Sequence, residues 1–252
     1  MTTSLLPTAT PLVLLNAFPV DRGQWEPLIA LLSNFDGDIM SFDMPGIGEM
    51  PLPDEEPSLD LIADAAVLAM REATGRESAV WIGCSMGGYV AMAVAQRYPD
   101  AVAGIALLNT RSTADDAAGV QKRLALAQSL QGQPGALDPR SMAEPLVGLQ
   151  GPQREILVQW VAANIAAHSG DGIAWGQRAM AARPTRTEVL RNVDAPAVVV
   201  AGEHDSISSL DDARVMADAL GVEPTVLAGV GHLSALEDPA GVLAALKPLL
   251  TL

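Results

Sequence analysis

The chain has a single cysteine, Cys84, so an intrachain disulfide and a cysteine-based metal site are both excluded. It is poor in positive charge: 15 Lys and Arg stand against 30 Asp and Glu, for a formal charge of -15. A surface of that sign repels phosphate backbones and anionic lipid, so neither nucleic acid nor a membrane surface is an expected partner. The charge itself reads as an aid to solubility. No apolar run approaches the roughly 18 residues of a membrane span. Met1 to Thr10 carries no basic residue, and Leu12-Val13-Leu14-Leu15 is short for a secretion signal, so a cytoplasmic location is expected.

What is present suits a single well-buried globular domain: 252 residues, 49% hydrophobic and 18% charged. Short apolar runs recur at Leu12 to Asn16, Ile39 to Phe42, Ala79 to Ile82, Gly104 to Leu108, Ala197 to Val200 and Thr225 to Leu227. Runs of this length suit strands covered on both faces, and their alternation with helical stretches predicts an α/β fold. The expected architecture is a mostly parallel central sheet with helices on both faces.

Leu61, Ile62, Ala65, Leu68 and Ala69 share one face of a predicted helix from Ser58 to Thr74, with Ser58 as its N-cap. Leu236, Leu243, Leu246 and Leu250 do the same near the C-terminus. Between Arg111 and Asn192 the strand pattern stops. Residues 111-192 are therefore expected to form a helical cap inserted in a core made of 1-110 and 193-252. Gly132, Pro134, Gly135, Pro139, Gly151, Pro152, Gly170 and Gly172 would divide it into three or four helices. An insertion at the ends of the strands would roof the place where ligands bind in open α/β sheets.

Val80-Trp81-Ile82 runs into Gly83-Cys84-Ser85-Met86-Gly87-Gly88, and a helix pattern follows from Tyr89 to Tyr98. A serine at a sharp strand-to-helix turn needs small neighbours and presents its hydroxyl at a helix N-terminus, so Ser85 is the candidate nucleophile. Cys84 beside it reads as a small buried filler rather than a rival.

A serine hydroxyl needs a base, and the chain offers only three histidines. His168 falls in the insertion and His204 precedes an aspartate. His232, in Gly229-Val230-Gly231-His232 between the last strand and the last helix, is the candidate base. Asp205, just past the strand that ends near Gly202, is the candidate acid to orient it, with Glu203 a lesser choice. Asp211 and Asp212 read as a solvated helix start. The order Ser85, Asp205, His232 is the one expected on an α/β sheet.

On these residues the chain resembles the α/β-hydrolase superfamily over nearly its full length. The stretch Asp43-Met44-Pro45-Gly46-Ile47-Gly48 is a further landmark. Arg178-Ala179-Met180-Ala181-Ala182-Arg183 is similar to small bacterial esterases, 3-oxoadipate enol-lactonases and cofactor-free haloperoxidases. The resemblance implies an oxyanion hole made by the backbone N–H groups of Phe18 and Met86. It also exposes a departure, since the family usually has His-Gly where this chain has Asn16-Ala17. Two readings follow: a variant held by an Asn16 side-chain hydrogen bond, or a loop set differently because alanine resists positive φ.

Trp25, Trp160 and Trp175 are candidate substrate contacts beside Phe18 and Met86. Arg111 is either a carboxylate-binding group or the partner of Asp115 in a surface ion pair. The expected activity is hydrolysis of a small-molecule carboxylic ester or lactone through an acyl-enzyme, with no cofactor and no metal. A C-C bond hydrolase or lyase on the same scaffold is the alternative enzyme. A ligand-sensing signalling protein with residual hydrolase activity is the alternative of another kind. The reading leaves monomer and homo-oligomer open.

Overall fold

A computed structural model describes residues 9-133 and 137-252. Pro134 and Gly135, read above as helix breakers, lie outside the described residues, as does the stretch 1-8. Six strands run β1 (Leu12–Leu15), β2 (Ile39–Phe42), β3 (Ala79–Cys84), β4 (Val102–Leu108), β5 (Ala197–Gly202) and β6 (Thr225–Leu227). Every pairing is parallel, in the order β2-β1-β3-β4-β5-β6. The fold is thus α/β, as the apolar runs predict. The inner strands β1 and β3 are wholly buried, which is why they read as continuous apolar runs. Each fully covered leucine of β1 contributes about 1.5–3 kcal/mol relative to exposure.

Three helices come before β4: α1 (Glu26–Leu31), α2 (Leu59–Thr74) and α3 (Met86–Arg97). Between β4 and β5 lie α4 (Ala117–Leu130), α5 (Pro139–Ala143), α6 (Pro152–Ala166), α7 (Gly170–Ala181) and α8 (Thr187–Arg191). Among its described residues the stretch 111-192 therefore holds five α-helices rather than three or four, and no strand. Gly170 and Gly172 do not break a helix; they form the first turn of α7, where Ser169 caps the N-terminus by accepting from Gly172 N–H. The chain closes with α9 (Leu210–Leu220), α10 (Ser234–Glu237) and α11 (Pro239–Leu246). The predicted C-terminal helix is thus cut at Asp238, and proline begins α11. Helices α2, α3, α8 and α9 pack in one series on the sheet and α1, α10 and α11 in another.

Ser58 caps α2 as expected, accepting from Asp60 N–H at 3.1 Å. The face that α2 buries is not the expected one. Leu59, Ile62, Ala63, Ala66, Val67 and Met70 turn inward, while Leu68 is 58% exposed. The helix is apolar on more than one side, and packing on α3 decides which side is buried. Leu61, Ala65 and Ala69 instead line a cleft of about 360 Å³ with Met50, Pro51, Leu52 and Pro53.

The insertion is tied to the sheet layer by a buried ion cluster. Arg183 grips Asp115 through two hydrogen bonds of 2.7 and 2.8 Å and lies 4.2 Å over the Tyr89 ring of α3. Arg123 donates to the same carboxylate at 2.5 Å. The ion pair expected between Arg111 and Asp115 is therefore not formed, because two other guanidinium groups hold that carboxylate. Burial pushes the Asp115 carboxyl up, but the hydrogen bonds and charges of Arg183 and Arg123 outweigh it and hold the pKa at about 2. Asp115→Ala leaves Arg183 buried without its counter-charge, and we expect a loss of about 3 kcal/mol at pH 7 in a urea melt. A lowered carboxylate pKa stabilises the fold above the unfolded value near 4 and ceases to as pH falls toward 2. The gap between parent and variant should accordingly narrow from pH 4 downward; a gap of constant size would assign the loss to packing instead.

Candidate active site

The sheet order reverses between β1 and β3: the chain passes from β1 to β2 on one side, then crosses to β3 on the other. Loops leaving the C-terminal ends of those two strands diverge and open a crevice, the usual place for a ligand in such sheets. The loop 16-20 leaves one side of it and Ser85 the other.

Ser85 follows β3 and caps α3 with φ 52° and ψ -115°, an unfavourable backbone for a residue with a Cβ. The turn is fixed on all sides. Ser85 N–H donates to Leu108 O at 2.9 Å, and its carbonyl accepts from Gly88 N–H at 2.9 Å and from Thr110 Oγ1 at 2.7 Å. The flanking glycines are needed for close approach. A Cβ on Gly87 would stand 2.0 Å from Leu15 O, and one on Gly83 would stand 2.3 Å from Gly87 O. Cys84 is buried, as a filler should be, and that burial pushes its thiol pKa far above the ordinary value.

Asp205 lies past the end of β5 and meets His232, which the β6-α10 loop carries in. His232 Nδ1 stands 2.9 and 3.0 Å from the two Asp205 oxygens, and both side chains are almost fully covered. The carboxylate has further donors: Ile207 N–H at 2.8 Å, Ser208 N–H at 3.1 Å, Ser208 Oγ at 2.5 Å and Asn109 Nδ2 at 3.1 Å. Burial raises the Asp205 pKa, but the His232 charge, its hydrogen bond and those of Ser208 and Ile207 together hold it at about 2. Asp205 is therefore ionised throughout the neutral range. Asp211 and Asp212 lie in the first turn of α9, where Asp212 and Ser209 form a capping box. Glu203 is occupied elsewhere, accepting from Gly229 N–H at 2.8 Å.

No hydrogen bond joins the Ser85 hydroxyl to His232 among the described residues: the structure pairs His232 with Asp205 and leaves the Ser85 hydroxyl without a hydrogen-bond partner. The Phe18 and Met86 N–H groups likewise have no acceptor within the described residues. The loop that carries Phe18 is held by two side chains. Asn16 Nδ2 donates to Val20 O at 2.7 Å, and Gln24 Oε1 accepts from Ala17 N–H at 2.9 Å. Ala17 is not among the positive-φ residues, so the loop asks nothing of alanine that it resists. The Asn16 side-chain hydrogen bond that the first reading expects is formed.

The insertion reaches the site at two points. His232 N–H donates to Leu146 O at 3.2 Å, and Gly148 abuts Gly231 so closely that a Cβ on Gly231 would stand 2.1 Å from Gly148 N. On the other side Gly176 of α7 lies against the Phe18 ring. Glu237, which the sequence did not single out, gathers this corner. Its carboxylate accepts from Gly231 N–H at 3.0 Å and Leu233 N–H at 3.1 Å around His232, and from Gly148 and Leu149 N–H, both at 2.9 Å, in the insertion.

The remaining candidates are dispersed. Trp25 is fully buried. Trp160 is 38% exposed and lines a surface cleft of about 420 Å³ with Gly23, Ile156 and Leu149. Trp175 turns its Nε1 to Glu55 O at 3.4 Å. Arg111 donates to Ile207 O and so braces the loop of Asp205. His204 Nδ1 pairs with Gly148 O at 3.3 Å and His168 Nδ1 accepts from Gly48 N–H at 3.3 Å, so neither shares the Asp205 carboxylate. Among the described residues no group of three or more His, Cys, Asp or Glu is gathered as a metal site, and no helix is long and apolar enough to cross a membrane.

Comparison with known proteins agrees with the α/β fold. The family described as alpha/beta hydrolase fold matches residues 10-239. The 3-oxoadipate enol-lactonase 1 of Acinetobacter baylyi is 24% identical over 243 residues, covering 92% of this chain and 85% of that protein. A thermophilic esterase from Thermogutta terrifontis superposes with a TM-score of 0.88 at 27% identity, over 97% of this chain and 90% of the other. The enol-lactonase of Burkholderia xenovorans LB400 does so with a TM-score of 0.83 at 22% identity, over 97% and 92%.

Proposed function

This chain belongs to the α/β-hydrolase family, and on that premise we propose that it is a serine hydrolase acting on a carboxylic ester or lactone of a small molecule. The observation that carries the proposal is the buried His232–Asp205 pair at the same end of the sheet as a serine held in a strained turn, whose neighbour Cys84 donates its thiol to the His232 carbonyl at 3.6 Å. The names of its relatives, an esterase and two enol-lactonases, favour this substrate class over the cleavage of C-C bonds. The Asn16 anchor of the loop that carries Phe18 supports a hydrolase over a sensor with a disabled oxyanion hole.

In the proposed mechanism Ser85 Oγ attacks the carbonyl carbon while His232 Nε2 takes its proton, the hydrogen bond between them forming as substrate settles. Asp205 keeps the Nδ1 proton in place and stabilises the imidazolium. The tetrahedral oxyanion accepts from the free N–H groups of Phe18 and Met86, which thereby stabilise charge that exists only on the way to product. His232 returns its proton to the leaving alkoxide, giving an acyl group on Ser85 and a free alcohol. It then removes a proton from water, which attacks the acyl carbonyl and releases the acid. For a lactone the alcohol and the acid are ends of one molecule. Residues 111-192 act as the cap over this chemistry, touching the Phe18 ring and the His232 loop.

A fluorophosphonate reports on the site without knowledge of the natural substrate. The expected result is one equivalent bound, mapped by peptide mass to Ser85, with none on Ser85→Ala. Labelling of another residue, or none on the folded parent, would overturn the proposal.

A further inference from the structure

Among the described residues two that are not glycine have positive φ: Ser85 at 52° and Asn109 at 48°. Backbone strain of this kind persists only where the surroundings enforce it, and it gathers at functional sites. The turn at Ser85 is explained by the nucleophile. Asn109 directly follows β4, the strand between those that lead to Ser85 and Asp205, and is 1% exposed.

Its side chain uses both amide hydrogens. Nδ2 donates to Asp205 Oδ2 at 3.1 Å and to Gly231 O, next to His232, at 2.9 Å. Turning the amide over would set its oxygen against a carboxylate and a carbonyl, so the chemistry fixes the orientation. The backbone is pinned too, since Asn109 N–H donates to Val200 O at 2.9 Å and the neighbouring Thr110 hydroxyl holds the Ser85 carbonyl. A single residue thus joins the acid loop to the base loop, and its neighbour joins both to the elbow.

We infer that Asn109 is a positioning residue for the hydrolytic reaction, its amide setting the spacing between Asp205 and the loop of His232. The inference rests on the proposed function, in which His232 is the base. It identifies asparagine as the residue that satisfies two acceptors at once, carries no charge and tolerates the left-handed turn better than most. Aspartate there would oppose Asp205, and a hydrophobic residue would leave the Gly231 carbonyl buried without a donor.

The test uses Asn109→Gly, which accepts the positive φ and removes the amide, and Asn109→Asp, which keeps the shape and adds a charge. Both are compared with the parent for kcat, KM and the pH dependence of p-nitrophenyl acetate hydrolysis. For Asn109→Gly the expected result is a fall in kcat of about tenfold to a hundredfold, the scale of a hydrogen bond to a charged group, with KM within about twofold. For Asn109→Asp the acid limb of the profile should move, because a new carboxyl within hydrogen-bond reach of Asp205 adds a second ionisable group to that buried site. A purely structural role would lower the melting temperature and leave the pH profile unmoved. A parental pH profile for Asn109→Asp overturns the inference, and so does a parental kcat for folded Asn109→Gly. If the parent's own turnover survives Ser85→Ala, the proposed function fails and this inference fails with it. If the parent acts through Ser85 and the Asn109 variants are unchanged, only this inference fails.

Discussion

Ser85→Ala is expected to lower kcat on p-nitrophenyl acetate by roughly ten-thousandfold to a millionfold, leaving the residual rate that bound donors supply without a nucleophile. The elbow allows a control that separates chemistry from folding. Ser85 carries φ 52° in the parent, and alanine inherits that strain, whereas glycine does not. Ser85→Gly should therefore be as inactive as Ser85→Ala yet more stable by about 1 kcal/mol in a urea melt, the cost of one strained residue. Activity and stability would then part in opposite directions at one position. A parent-like rate for folded Ser85→Ala removes the serine from the mechanism. Equal stability of the two variants means the strain at the elbow is not borne by the Cβ.

The second large effect is expected at Asp205, where Asp205→Asn should cost about a thousandfold to ten-thousandfold in kcat. Ile207 and Ser208 N–H both point at Oδ1, so an asparagine would keep its oxygen there and put its amide nitrogen at the Oδ2 position. That nitrogen would donate to His232 Nδ1 and drive the imidazole proton to Nε2, the tautomer that cannot accept from Ser85. The same amide would face Asn109 Nδ2, donor against donor. In the parent the carboxyl is held at about 2, so its titration should destabilise the fold only as pH falls from about 4 toward 2. The acid limb of the rate profile must then come from another group. An Asp205→Asn enzyme within tenfold of the parent at pH 7 would strip Asp205 of this role.

The sheet and the order of the candidate triad could be read from the chain because both are local. A strand buried on both faces is apolar at every position, and Leu12–Leu15 and Ala79–Cys84 are covered throughout. The elbow carries its own requirement for glycine, visible as soon as Gly83 and Gly87 flank a serine. What escaped depends on contacts between distant segments. α2 offers two apolar stripes of similar period, and only the position of α3 decides between them. Arg111 and Asp115 are near in sequence, but Arg183 reaches Asp115 from the far end of the insertion. Asn109 and Glu237 are ordinary polar residues until the fold brings two loops within reach of each. Gln24, which fixes Ala17, belongs with them. Proline at the start of α11 gave a signal for the cut in the C-terminal helix, since it cannot sit in a helix interior without breaking it.

The Glu237 carboxylate makes the insertion and the proposed base, His232, parts of one latch. Two of its four N–H donors belong to the His232 loop and two to residues 148 and 149. Lifting the insertion at that corner would strip the carboxylate of half its donors and take away the Leu146 carbonyl that His232 N–H uses. A doorway there would disarm the enzyme each time it opened. An entrance on the opposite flank, where Gly176 of α7 rests on the Phe18 ring, would part the Trp175–Glu55 bond but none to the His232 loop, and so would admit substrate with the proposed base still in place.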